Sequence, residues 1–346
     1  FLSIIFFFKK LDKINVNEFA IIVNKLNKIR FLKFEKVLEL VHALYALHLL
    51  TNEKIKKIEV IPQSNDLDYS ENIVIGSGPA GSITANELRK NNFDTLLIEK
   101  GYASNASESK HPGAEFLNKW KFGGLSAAIG NTNIQYASAE CLGGGSEINS
   151  GLYHPPSERF LEKFSKKFEI PNLNKSNLKN YENYLKEFLN YNIPKADHNS
   201  VSEKILRGAE QLKWKYDFIP KFEKFNNNKN IKNSMTKTIL KEYLDKGGKV
   251  LLNANVNLIS RKGDNWLVHY NKNHQKKIIK GKNIFLCCGS PYTLFLLNKS
   301  KLIRDRINNH LTFHPMIKIV AKFPDNLDKE HISNFQISEF IPKFIF

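Results

Sequence analysis

Three closely spaced glycines and one distant carboxylate hold the clearest chemistry in this chain. Ile73-Val74-Ile75 runs into Gly76-Ser77-Gly78-Pro79-Ala80-Gly81, and Leu96-Leu97-Ile98 runs into Glu99-Lys100, with the acid 18 residues after Gly81. At this spacing a strand, a glycine turn, a helix and a second strand form a dinucleotide-binding unit. Gly76 permits the tight turn, Gly78 lets the backbone approach a pyrophosphate, and Gly81 lets the helix pack closely on the sheet. The backbone of Ser77, Pro79 and Ala80 completes the cradle, where unpaired N–H groups and the positive end of the helix dipole hold phosphate. Glu99, with Lys100 beside it, sits where a carboxylate accepts both hydrogen bonds of an adenosine ribose and repels a 2′-phosphate. FAD or NAD is therefore favoured over NADP. An isolated G-x-G-x-x-G would be weak, since glycine turns are common; the weight comes from the elements standing in register around it.

The elements that must position these residues fit the composition. With 346 residues, 42% of them hydrophobic, the chain can bury a large core and make about two domains. Its formal net charge of +18 comes from lysines scattered among Asn and Ile rather than from a dense block alternating with aromatics, so a solvated basic surface is expected and nucleic acid is not. The three cysteines are Cys141, Cys287 and Cys288. The last two are adjacent in an apolar run, where bridging would strain the backbone, so buried reduced thiols in a reducing, cytoplasmic compartment are expected. No clustered set of metal ligands stands out, and no metal is expected. No stretch has the length and apolarity of a transmembrane helix. The chain starts at Phe1 rather than Met and stops at Phe346 without a polar tail, so a fragment is expected.

Residues 1–66 read as a helical extension, from apolar residues at mixed three and four spacings in Asn17 to Val23 and Phe34 to Leu50. Its plain role is a cap on the next domain. The sharper alternative is a peripheral membrane contact, because Lys25, Lys28, Arg30, Lys33 and Lys36 flank Phe31, Leu32 and Leu38. After Gly101 comes a polar loop, then Phe122-Gly123-Gly124 and Cys141-Leu142-Gly143-Gly144-Gly145-Ser146-Glu147-Ile148-Asn149. So many glycines in an apolar context bring backbone close to something flat or charged. Residues 160–232 read as mixed helices and loops. Thr236 to Asp245 reads as a helix ended by Gly247-Gly248, and Lys249 to Ile259 as one strand. Trp266 to Tyr270 and Lys276 to Ile279 read as a hairpin, and Asn283 to Gly289 as a separate buried strand.

Three of these blocks together resemble the glucose-methanol-choline (GMC) oxidoreductases, FAD enzymes that oxidise alcohols. They are the dinucleotide unit, Leu142 to Asn149, and Gly289-Ser290-Pro291-Tyr292-Thr293-Leu294 through Ser300; His314-Pro315 adds a fourth element. Ser146 to His154 and Ser234-Met235-Thr236-Lys237-Thr238 look most like the long-chain fatty-alcohol branch. The resemblance implies an α/β, FAD/NAD(P)-binding Rossmann-like domain of GMC type from residues 67–159 and 233–315, with part of a substrate domain from 160–232 and 316–346. It places Gly76, Gly78, Gly81 and Glu99 at the phosphates and ribose, and Gly143, Gly144, Ser146 and Asn149 in the loop around the diphosphate and flavin edge. It also places Val256 at the adenine and Gly289 where the last strand nears the cofactor. Leu294 and Lys301 depart from the usual proline and glycine. Ile148 stands where some relatives carry a histidine that attaches FAD, so noncovalent FAD is implied.

The family's catalytic histidine and its His or Asn partner are expected beyond Phe346. His154, His310 and His314 are the histidines nearest to recognised motifs and are read as structural. The reading is thus the FAD-binding portion of an alcohol oxidase or dehydrogenase, with an alcohol substrate and an electron acceptor of unknown identity. Two alternatives stay open: a catalytically incomplete FAD module docked on a membrane or acidic partner, and a two-dinucleotide flavoprotein reductase, which would need a second G-x-G-x-x-G.

Overall fold

A computed structural model describes residues 67–103, 112–128, 134–188, 200–226, 229–303 and 335–340. The helical extension 1–66 and its membrane alternative, His310, His314 and residues 316–334 of the expected substrate-domain segment lie outside the described residues. The apolar run ending at Gly76 forms β1 (Tyr69–Ile75), the segment after Gly78 forms α1 (Pro79–Lys90), and β2 (Thr95–Ile98) follows. Pro79 opens α1 with its φ preset and no N–H to satisfy. Further along come α2 (Pro112–Lys119), β3 (Ser126–Ala128) and β4 (Ile134–Tyr136).

Residues 158–232 hold α3 (Glu158–Phe168), α4 (Lys175–Lys186) and α5 (Ser200–Gln211), and also three short strands: β5 (Tyr216–Phe218), β6 (Glu223–Asn226) and β7 (Lys229–Lys232). After a 3₁₀ turn at Met235–Lys237, α6 (Ile239–Asp245) leads into β8 (Lys249–Leu251), β9 (Asn255–Lys262), β10 (Asn265–Lys272) and β11 (Gln275–Leu286). The last described elements are α7 (Ser290–Lys299) and β12 (Phe335–Ile337).

One sheet of order β8-β2-β1-β11-β10-β9 organises the molecule. β8, β2, β1 and β11 are parallel, while β10 and β9 return antiparallel. Alternate residues of β1 and β2 feed two cores: Ile73, Ile75, Leu96 and Ile98 on one face, Val74 and Leu97 on the other. α1 and α6 cover the second face with Ala85, Leu240 and Tyr243, whereas α7 covers the first with Leu296. Burial on both faces explains why these strands read as unbroken apolar runs. The Tyr243 hydroxyl is within reach of the Thr95 and Lys249 carbonyls, 2.9 and 2.8 Å away, and ties α6 to both strands beneath it.

Two expectations about strands are corrected. The single strand over Lys249 to Ile259 is two, because Asn253 adopts φ +54 and the chain turns there. The hairpin's second arm and the strand at Asn283 are one element, β11, which pairs with β10 as far as Gly281 and with β1 as far as Leu286. At the overlap a Cβ on Gly281 would stand 2.7 Å from Ile73 Cδ1, so the residue there lacks one. β8 and β9 are the two edges, yet only residues 252–254 join them. In a flat sheet those edges would be roughly 24 Å apart, and so short a link spans roughly 14 Å. The hairpin must curl back over one face, which brings the start of β9 to the carboxyl ends of the parallel strands.

Lys301, where the sequence departs from glycine, takes φ +56 immediately after the Ser300 C-cap of α7 and closes that helix through bonds to Asn298 O and, from Leu302, to Leu297 O. The turn is kept at the cost of a left-handed lysine. Among the described residues no helix is long and apolar enough to cross a membrane. Lys301→Gly should raise stability by about 0.5–1 kcal/mol, read as a higher urea midpoint. An unchanged or lower midpoint would mean the left-handed lysine carries no strain.

Candidate cofactor-binding site

The parallel strands end together, and their ends are joined by one carboxylate. Glu99, buried at the end of β2, accepts from Ser77 N at 2.9 Å and Ser77 Oγ at 2.6 Å with one oxygen, and from Gly101 N at 2.7 Å with the other. Ser77 Oγ in turn accepts from Gly143 N at 3.0 Å, so the glycine loop after Leu142 is fastened to the turn after β1. Ser146 Oγ donates to Gly143 O at 2.8 Å and accepts from Met235 N at 3.0 Å. Glu147 Oε1 accepts from Thr236 N and Thr236 Oγ1, at 3.2 and 2.8 Å. The sequence reading gave Glu99 a ligand alone; the structure gives it the additional work of bracing the turn.

A cleft of about 1240 Å³ opens over these strand ends. Gly76, Ser77, Gly78, Pro79, Ala80, Glu99, Lys100, Gly144, Asn149, Val256 and Gly289 all line it, so most of the residues selected from sequence come together in one place. Gly81, Gly143 and Ser146 do not line it and are structural supports. A Cβ on Gly81 would lie 1.8 Å from Gly76 O, so its absence permits α1 to seat on the turn. Gly143 holds φ +88 with Glu147 filling the space where its side chain would go. Ile148 faces the cleft and offers no nucleophile.

The two glycines singled out for close approach differ. A Cβ on Gly144 would stand 2.7 Å from Gly78 Cα, so that residue is glycine because the loop touches the turn. On Gly78 a Cβ would meet nothing within 4 Å, and its φ of −62° suits any residue. Gly78 is therefore not required by the protein's own packing, and the room above it belongs to the cleft.

Several lining residues were missed from sequence. Trp120, Lys121 and residues 137–141 form one wall, held by isolated bridges between Trp120 and Ala139 and between Tyr102 and Cys141, which leave no periodic pattern to read. Lys121 lies 3.7 Å from the centroid of the Tyr292 ring, and burial together with nearby Lys100 lowers its pKa. Lys100 is paired with Glu140 at 2.7 Å. Tyr292 also meets Ser138 Oγ at 3.4 Å and hydrogen-bonds Tyr136, which raises the Tyr136 pKa. Cys287 and Cys288, expected inside a buried strand, lie just past β11, half-buried, and line the cleft. Burial pushes the Cys141 and Cys288 thiols up to about 12, so neither is a nucleophile at ordinary pH. His154 is exposed and away from the cleft, and among the described residues no three metal-ligating side chains cluster.

A family profile described as GMC oxidoreductase matches residues 70–316. An uncharacterized GMC-type oxidoreductase of Sinorhizobium fredii is 28% identical over 291 residues, which cover 78% of this chain and 57% of that protein. A long-chain-alcohol oxidase of Arabidopsis thaliana is 21% identical over 270 residues, covering 73% of this chain and 37% of that protein. The chain thus spans about half the length, or less, of these curated relatives. A solved flavoprotein/dehydrogenase from Cytophaga hutchinsonii covers 67% of this chain and 41% of its own at 14% identity and a TM-score of 0.30, a likeness too slight to carry weight.

The contrast between the two glycines is testable. Gly78→Val should leave the urea midpoint of the ligand-free chain nearly unchanged and abolish cofactor retention on purification. Gly144→Val, strained by its φ of +56 and by contact with Gly78, should lower the midpoint itself, by about 2 kcal/mol or more in stability. Full cofactor retention by folded Gly78→Val would show that nothing occupies the space above the turn.

Proposed function

Because the chain belongs to the GMC oxidoreductase family, matched over residues 70–316, we propose that it is the FAD-binding portion of an enzyme that oxidises alcohols. The observation that carries this reading is the cleft's unfilled glycine surface. Gly78 and Gly145 both line the cleft without a left-handed φ, and a Cβ on either would meet no protein atom within 4 Å. That is the surface an extended, flat ligand with a diphosphate at its middle requires.

Each lining residue then has a task. The Ala80 amide, in the first turn of α1 and without an intrahelical partner, faces the diphosphate. Glu99 takes a ribose hydroxyl with the one lone-pair site on Oε1 that its three internal bonds leave free. Val256 flanks the adenine, while Gly144, Asn149 and Gly289 border the rest of the cofactor. A bound flavin would accept hydride from the alcohol carbon as a base takes the hydroxyl proton. Among the described residues, none lining the cleft is a histidine, so proton removal is assigned to a group outside them. Attachment is noncovalent, supported by Ile148 in the cleft wall. A long-chain primary alcohol is the first substrate to try, because the Arabidopsis relative carries that name.

The test is anaerobic mixing of FAD-loaded protein with primary alcohols from short to long, comparing this chain with a form extended to the length of its relatives. The extended form should bleach in the visible and this chain should not, since general-base help is worth roughly 10²–10⁴ in rate. Equal bleaching would place the base within these residues, and no bleaching of the extended form by any alcohol would end the alcohol reading. Acid precipitation should leave the flavin in the supernatant; flavin in the pellet would mean a covalent link.

A further inference from the structure

Beyond the cleft itself, one half-buried cation acts on its wall from a distant part of the chain. Lys232, the last residue of β7, donates from Nζ to Glu147 O at 3.0 Å and to Asn149 O at 2.8 Å. Its aliphatic stem runs beside Gly151, where a Cβ would lie 3.5 Å from Lys232 Cδ. The β6–β7 ribbon that presents it is itself stitched to the same stretch, through Phe222 N to Gly151 O at 2.8 Å, and its Asn233 end returns to Phe222 O at 2.8 Å. Burial lowers the Lys232 pKa, while the Glu147 carboxylate opposes that shift; Lys119, Glu115 and Lys237 are the other charges that act on it.

The loop it grips begins with three consecutive glycines, Gly143 to Gly145, whose freedom makes a fixed conformation costly in entropy. Ile148 and Asn149 line the cleft at the far end of that loop, as Gly144 and Gly145 do near its start, and the carbonyls gripped belong to Glu147 and Asn149. Charge-assisted bonds to main-chain carbonyls fix the backbone whatever the neighbouring side chains do. With the Met235 and Thr236 bonds to Ser146 and Glu147, they join the segment 232–236 to the loop from Ser146 to Asn149.

We propose that Lys232 is a positioning residue for the cofactor cleft: its ammonium clamps the Glu147 and Asn149 carbonyls and so holds the Ile148–Asn149 wall in the shape that receives the cofactor. The identity of the ligand rests on the FAD reading above; the clamp does not.

Two measurements on Lys232→Met, which keeps the stem and removes the ammonium, separate them. In the ligand-free chain, hydrogen exchange of peptides covering residues 142–151 should speed up while β1, β2 and α1 keep their protection. FAD affinity, read by flavin fluorescence, should weaken by roughly tenfold, the order expected for losing such a bond pair. Lys232→Arg, which retains charge and donors, should recover most of both. Thr236→Val, which deletes one bond to Glu147, gives a smaller change in the same direction and serves if the first variant does not fold. Faster exchange spread over the whole chain, or faster loop exchange with FAD affinity unchanged, would overturn the positioning role. If the unmodified chain binds no FAD, the cofactor reading fails, while exchange still decides whether the clamp exists.

Discussion

Glu99 is the constraint on which the rest of the site depends. A carboxylate buried at a strand end is costly unless its lone pairs are met, and here the donors are Ser77 N, Ser77 Oγ and Gly101 N. Satisfying it fixes the turn after β1 relative to the end of β2. Ser77 Oγ, oriented by that donation, then takes the Gly143 N–H and sets where the glycine loop begins. The break between β8 and β9 is held to the same corner, since Ala254 N donates to Glu99 O and Asn253 N to Gly101 O. One acid therefore ties the turn after β1 to the end of β2 and, through Ser77, to the start of the glycine loop.

From that corner the glycines divide into two kinds. Gly76, Gly81 and Gly144 are small because protein backbone comes within contact of where a side chain would be. Gly78 and Gly145 line the cleft with open space above them and no left-handed φ to explain them. Their meaning is different: the first group builds the cradle, and the second keeps it empty. Curling of the β9–β10 hairpin over the sheet adds the remaining side by bringing Val256 to the strand ends.

Much of this was legible in the sequence because it is local. The unit from Ile73 to Glu99 is specified by residues a few positions apart, each with a conformational requirement that glycine, proline or an apolar run states openly. Lys232 was illegible for the opposite reason: it acts across 83 and 85 residues on backbone carbonyls, which every residue type possesses. Gly143 and Ser146, expected around the cofactor, belong to the glycine loop but do not line the cleft, because composition does not distinguish a residue facing the ligand from one supporting it. The continuity of β11 was hidden by Gly281 and Lys282, which read as a break although the strand passes through them to change partners. Trp120 and Lys121 sit in irregular chain, where no period marks which side faces inward.

The central claim is that this corner holds a flavin adenine dinucleotide, and it is tested most directly by titrating the ligand-free chain with FAD, FMN, NAD and NADP under one buffer. FAD should bind at least roughly a hundredfold more tightly than FMN if, as proposed, its adenosine half meets Glu99, Lys100 and Val256, and NADP should bind weakest beside the Glu99 carboxylate. Equal affinity for FMN and FAD, or a preference for NADP, would contradict the account.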